Sequence, residues 1–178
     1  TLCMPIISGL DKMKDTIEIC IGAEDINKNI ETLASVWKAL GDQGATRHSL
    51  MVNLGGGMVT DLGGFAASTF KRGISYINIP TTLLAMVDAS VGGKTGINFN
   101  GLKNEIGVFS PAEYVLIDTV FLKSLDSANL LSGYAEMLKH GIISTTAHWA
   151  ELLHFDWSNM DYYQLQALVA KSIQIKEN

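Results

Sequence analysis

The residues able to carry chemistry fall in four short segments between positions 54 and 140. Leu54-Gly55-Gly56-Gly57-Met58-Val59-Thr60-Asp61 lies where an apolar run gives way to a helical pattern. Glycines at such a junction let backbone N–H groups approach a pyrophosphate, and the helix start adds partial positive charge. The run does not match G-x-G-x-x-G, and a tight turn needing positive φ explains it equally well by itself. Pro80-Thr81-Thr82-Leu83-Leu84-Ala85-Met86-Val87-Asp88 leads into Ala89-Ser90-Val91-Gly92-Gly93-Lys94-Thr95-Gly96-Ile97-Asn98. Its two hydroxyls, carboxylate and lysine suit a ribose, a phosphate or a polyol, although the spacing fails the phosphate-loop pattern at its first glycine. The plain structural alternative makes Thr81 a helix cap and Lys94 a solvated charge. Gly101-Leu102-Lys103-Asn104-Glu105-Ile106-Gly107 reads as a polar loop in which Lys103 is a ligand or merely exposed. In Gly133-Tyr134-Ala135-Glu136-Met137-Leu138-Lys139-His140, the residues Glu136, Lys139 and His140 share one helix face. An ordinary ion pair explains Glu136 and Lys139. Glu136 and His140 also have the one-turn spacing of two metal ligands, a spacing common on ordinary helix faces.

Periodicity sets the elements that must hold these segments. Thr16 to Ile21 alternates and is rich in β-branched residues, which predicts a strand. A helix follows, with Asn29 as cap, Glu31 in its first turn, and Ile30, Leu33, Val36, Trp37 and Leu40 on one face before Gly41. Ser49 to Leu54 is a short apolar strand that runs into the glycines. Met58 to Lys71 reads as a helix, weakened by Gly63 and Gly64 by about 1 kcal/mol each. Ile74 to Ile79 and Tyr114 to Ile117 are further strands. Strand, glycine turn, helix, strand is the βαβ grammar of an α/β fold with a parallel sheet. Beyond Phe121 no strand signal is left, and helices are expected over 126–143, 147–154 and 161–178. This places a domain boundary near 121, dividing the chain into 1–121 and 122–178.

Composition excludes whole classes of function. With 178 residues, 47% hydrophobic and 17% charged, the chain can bury a core, and it fits one domain or one domain and part of another. A net charge of −5 without a Lys/Arg cluster argues against a nucleic-acid partner. Cys3 and Cys20 lack the spacing of a disulfide framework or a thiolate zinc site, which fits a reduced cytoplasmic setting. Apolar runs such as Pro80 to Val87 fall well short of the roughly 20 residues that cross a bilayer, so no membrane span is expected. A start without Met or a signal peptide, and a last helical run without a capping Gly or Pro, predict a piece of a longer protein.

Taken in order, Leu54 to Asp61, Lys71-Arg72-Gly73, Ile79 to Leu84, Asp88, Ser90 to Ile97, Lys103-Asn104 and Ala135-Glu136 strongly resemble the 3-dehydroquinate synthases, with the match most specific over 49–143. The resemblance implies a Rossmann-like N-terminal domain that holds NAD, followed by the start of an all-helical C-terminal domain that supplies metal ligands. It places NAD against Asp25, Lys28, Gly56, Gly57, Met58, Asp61, Thr81, Thr82, Leu84, Lys103 and Ser124. Asp25 stands where many members carry Glu, and Ser124 and Asn129 replace a usual Thr and Glu. Substrate falls to Arg72, Asp88, Lys94, Asn104, Lys139 and Lys176, and a divalent metal, zinc first and cobalt second, to Glu136. The implied reaction converts 3-deoxy-D-arabino-heptulosonate 7-phosphate to 3-dehydroquinate and phosphate in the shikimate pathway. A homodimer is implied by analogy. Another sugar-phosphate cyclase and a polyol dehydrogenase of related fold are the alternatives, and a non-catalytic nucleotide-binding domain is the reading from outside the enzyme class.

Overall fold

The computed structural model describes residues 3–10, 13 and 15–177. Asn178, the last position of the expected final helix, lies outside them. A short helix α1 (Met4–Ser8) precedes α2 (Ile30–Asp42). Asn29 caps α2 as expected, its side-chain oxygen accepting the Thr32 N–H at 2.8 Å. Strand β1 (Leu50–Gly55) enters the glycine turn, α3 (Gly57–Thr69) crosses back, and β2 (Ser75–Pro80) pairs parallel to β1 with Leu50 opposite Ser75 and Gly55 opposite Pro80. A two-residue strand β5 (Tyr114–Val115) adds to the other edge of β2, also parallel. This is the expected βαβ unit, and its order is β1-β2-β5.

Two expectations are corrected. Residues 16–21 form no strand. They are separated from β1 by a groove of about 430 Å³ lined by Ile17, Ile19, Ile21, Met51 and Leu62 among others. Alternation marks which face of an extended segment is buried, but a strand also needs a hydrogen-bonding neighbour within about 5 Å. The second correction concerns the glycine-rich stretch and polar loop over 92–107, which form an antiparallel hairpin, β3 (Lys94–Phe99) and β4 (Leu102–Phe109). Asn100 and Gly101 turn it with φ of 50° and 76°, the two left-handed positions of a type I′ turn.

After Val115 every described element is helical: a 3₁₀ turn at Thr119–Ser124, then α4 (Ser127–Ile143), α5 (Thr146–Leu153) and α6 (Tyr162–Glu177). The larger apolar core joins Ile79, Leu83, Met86 and Val87 to Leu130, Met137, Leu152 and Leu165, so these helices pack on the segment that leaves β2. Gln166 fixes α6 to that region by accepting the Thr119 N–H at 2.9 Å and donating to the Ile117 carbonyl at 3.1 Å. A smaller core of Leu33, Val36, Leu62, Phe65 and Ile97 holds α2 and the hairpin against α3. The hairpin is thereby fixed on the same helix that begins at the glycine turn.

Candidate cofactor and substrate site

The glycine turn leaves little room for side chains. A Cβ built on Gly56 would lie 3.1 Å from Thr82 Cγ2, and one on Gly57 would lie 3.0 Å from Ala89 Cβ. The turn is tucked under the segment after β2, to which it is also tied by the Thr81 N–H donating to the Gly55 carbonyl at 2.9 Å. Val59 and Thr60 both donate back to the Gly56 carbonyl, which leaves the Gly57 and Met58 amides at the helix start to meet an anion. The hydroxyl that caps the following turn belongs to Thr82, which accepts the Ala85 N–H at 3.2 Å; the alternative role suggested for Thr81 is thus filled by its neighbour. Residues Ala85–Ala89 form a single π-helical turn, which carries Asp88 out of the core formed by Met86 and Val87. Such turns are frequent at functional sites.

Beside this turn lies a polar network that joins segments far apart in sequence. Lys28, 5% exposed, donates to Asp61 Oδ2 on α3 and to Asn104 Oδ1 on β4, both at 2.5 Å. Asn98 ties the hairpin to the same loop, its N–H donating to the Lys28 carbonyl at 2.8 Å and its amide to Asp25 Oδ2 at 3.1 Å. Asn98 Oδ1 accepts the Asn104 N–H at 3.0 Å. Lys103 reaches Asp25 at 3.3 Å. Asp25, Lys28, Asp61, Lys103 and Asn104 are expected here from the sequence, whereas the part of Asn98 is new. Its signal was position: a polar residue just before the Asn100-Gly101 turn faces across the hairpin.

A second group gathers around the π-turn and α4. Lys176 on α6 pairs with Asp88 at 2.7 Å, and Lys139 pairs with Glu136 at 2.5 Å, the helix-face ion pair that stood as the structural alternative for these two. His140, 1% exposed, has Nε2 3.4 Å from Glu136 Oε1, with neither ring nitrogen hydrogen-bonded among the described residues. Burial lowers the His140 pKa, so the ring is held neutral, opposed by the Glu136 charge. The hydrogen bond to Glu136 raises the Lys139 pKa. Burial raises the Asp61 pKa against the pull of Lys28, and Asp88 and Asp25 push it further the same way. The Asp88 charge acts on both Asp61 and His140, pushing the pKa of each upward, so the two groups share one electrostatic environment.

Some named residues stand apart from both groups. Arg72 is exposed beyond the far end of α3, in a left-handed turn with φ of 70°. The length of α3 puts about 20 Å between that turn and the glycines. Lys94 is exposed at the start of β3. Ser124 ends the 3₁₀ turn and donates to the Phe121 carbonyl at 3.5 Å. No group of three or more His, Cys, Asp or Glu side chains able to hold a metal gathers among the described residues. Glu136 offers one carboxylate, which alone is not a ligand set.

Comparison with known proteins places this arrangement. The family profile described as 3-dehydroquinate synthase N-terminal matches residues 18–132. The chain belongs to the 3-dehydroquinate synthase family. It is 54% identical to the 3-dehydroquinate synthase of Parabacteroides distasonis over 98% of its own length and 50% of that protein. With the enzyme of Clostridium tetani the identity is 50% over 66% of this chain and 31% of the relative. The chain thus spans half or less of these curated relatives. Among solved structures it is similar to a 2-epi-5-epi-valiolone synthase from Streptomyces hygroscopicus with NAD+ and Zn2+ bound, at TM-score 0.82 and 34% identity, over 88% of this chain and 45% of that one. A 2-deoxy-scyllo-inosose synthase complexed with carbaglucose-6-phosphate, NAD+ and Co2+ gives TM-score 0.79 and 27% identity over 86% of this chain and 43% of that one. No described helix is long and apolar enough to cross a membrane.

Proposed function

We propose that this chain is the cofactor-holding part of a 3-dehydroquinate synthase. It would contribute to the conversion of 3-deoxy-D-arabino-heptulosonate 7-phosphate to 3-dehydroquinate and phosphate in a reduced, cytoplasmic setting. Residues 1–121 are assigned to NAD and 122–178 to substrate and metal. The observation that carries the reading is the glycine turn with little side-chain space, next to a connected network of Asp25, Lys28, Asp61, Lys103 and Asn104. The cradle over Gly56 and Gly57 fits a dinucleotide pyrophosphate, with Met58, Thr81, Thr82 and Leu84 beside it. NAD supplies a reversible hydride acceptor that leaves no net redox change. Lys94, Lys139 and Lys176 match the carboxylate and phosphate of the substrate, and Asp88 and Asn104 orient its hydroxyls, while Arg72, at the far end of α3, stands outside this set within the chain. Glu136 is assigned to the metal, zinc before cobalt; since it is a single donor, no step is derived through the ion.

Calorimetric titration of NAD into the purified chain tests the cofactor assignment, and saturable binding is expected. A chain that folds and shows none overturns it. Likeness to the valiolone synthase supports one second reading, a cyclase acting on another sugar phosphate. Phosphate release from the heptulosonate phosphate, compared with release from sugar phosphates that lack its carboxylate, separates the two in the whole protein. Pairing of two copies through the α/β part belongs to the proposal. Exposed Phe109, Tyr114 and Leu116 on one stretch of chain support a covered surface there. Sedimentation as a monomer at micromolar concentration would remove it.

A further inference from the structure

We propose that Lys28 is a positioning residue that clamps the hairpin β3–β4 to helix α3, so that NAD binding on the α3 side and the placement of Asn104 are energetically coupled. The proposal rests on the NAD reading above. An ammonium group has three donors, and two of them are spent at 2.5 Å on Asp61 Oδ2 and Asn104 Oδ1. With its side chain 6% exposed, Lys28 is a protein-facing cation and not a free anion receptor. Its main chain clamps the hairpin as well, since its carbonyl accepts the Asn98 N–H at 2.8 Å. Asn104 is shaped for this contact. Its φ of 54° departs from strand geometry in the middle of β4, and its N–H is held at 3.0 Å by Asn98 Oδ1. The β3–β4 register is irregular between Ile97 and Phe99, where residues 103–105 bulge opposite Asn98, and the two ties hold the left-handed residue of that bulge in place. Removing the ammonium would leave a partly buried Asp61 carboxylate without this cation and Asn104 untethered.

Coupling of this kind is reciprocal: whatever fixes Asp61 fixes Asn104, and the converse holds with the same factor. The chain itself carries the test. Asn104→Ala removes an acceptor assigned to substrate and not to NAD. Under the clamp it weakens NAD affinity about fivefold or more, and it is non-additive with Lys28→Met. Asn104→Asp keeps an acceptor for the ammonium and restores affinity. If Lys28→Met fails to fold because Asp61 is left unpaired, the pair Lys28→Met with Asp61→Asn removes that charge and takes its place. Amide hydrogen exchange without nucleotide is the second readout. Both single variants should exchange Asn98 and Asn104 about tenfold faster while the amides of β1 and β2 keep their protection. Unchanged hairpin exchange in a folded Lys28 variant overturns the clamp. NAD affinity within twofold of wild type in Asn104→Ala overturns the coupling. If the wild-type chain does not bind NAD, the cofactor reading fails instead, and hydrogen exchange alone decides the clamp.

Discussion

The approach of α3 to the sheet predicts opposite signs for one substitution at two helical glycines. A Cβ built on Gly63 would lie 2.2 Å from Asn53 Oδ1 and 2.6 Å from Asn53 Cγ. Asn53 is 1% exposed in β1 and donates to Asn78 Oδ1 at 3.0 Å across the parallel pair. In Gly63→Ala the Asn53 amide must swing away. Helix propensity favours the alanine by about 1 kcal/mol. Against it stand overpacking, about 1–3 kcal/mol, and the loss of the amide pair, about 1 kcal/mol with a further 1–3 kcal/mol for each buried group left without a partner. Asn53 Oδ1 already lacks a partner among the described residues, so the lower part of that range applies. The net loss is about 3 kcal/mol, or about 6–12 °C in Tm for a chain of this size. Gly41 lies in α2 with nothing within 4 Å of its Cβ position, so Gly41→Ala should gain up to about 1 kcal/mol. Urea denaturation of the two variants beside wild type is the assay. A Gly63→Ala protein within about 0.5 kcal/mol of wild type would refute the steric argument. A Gly41→Ala protein that loses stability would refute the propensity argument.

Four further outcomes follow from the same geometry. Gly57→Val sets a branched side chain against Ala89 Cβ, where even a single Cβ would lie at 3.0 Å, and NAD affinity by calorimetry should fall about a hundredfold; unchanged affinity would reassign the cradle. In the whole protein, Lys94→Ala should cost about 2–4 kcal/mol in kcat/KM with NAD affinity within about twofold, and equal losses in both would move Lys94 to the cofactor. Asn29→Ala removes the cap on the Thr32 N–H and should cost about 1 kcal/mol in urea, with no loss showing the cap to be replaceable by water. Asp126 accepts the Asn129 N–H at the start of α4, which holds its pKa below 3.8, so its contribution is present above 3.8 and is lost as pH falls through the lower folded value. Asp126→Asn keeps an acceptor without the charge, so the stability gap between it and wild type should narrow on acidification below 3.8, and a gap independent of pH would contradict this.

The βαβ unit was legible because apolar runs of strand length ended at Gly55 and Pro80. The hairpin was not, although Asn100-Gly101 is a strong turn signal. Gly96 and Gly107 lower strand propensity within its arms, Gly92 and Gly93 read as a turn just before them, and Gly96 opposite Gly107 makes sense only once the two strands face each other. Residues 16–21 show the converse. Their alternation correctly marks Ile19 and Ile21 as packed toward the smaller core, yet strand pairing depends on a neighbour that no local pattern reveals.

The site residues were recognisable by type and order, but their mutual pairing is long-range information. Asn104 lies 76 positions from Lys28 in sequence and at 2.5 Å in space. Four cations in the candidate set each meet a carboxylate in the same set: Lys28 with Asp61, Lys103 with Asp25, Lys139 with Glu136 and Lys176 with Asp88. Of the four cations that the resemblance gives to the substrate, Lys139 and Lys176 are therefore neutralised in the free chain, and a phosphate or carboxylate meeting either must compete with a carboxylate already in place, while Arg72 and Lys94 stand exposed. That competition offsets part of the ion-pair gain, yet it holds each ammonium in position before the ligand arrives and so lowers the ordering cost of binding. Under the proposed function it also shows why a net charge of −5 does not argue against an anionic ligand: the charges are placed locally, residue against residue, and composition sums that placement away.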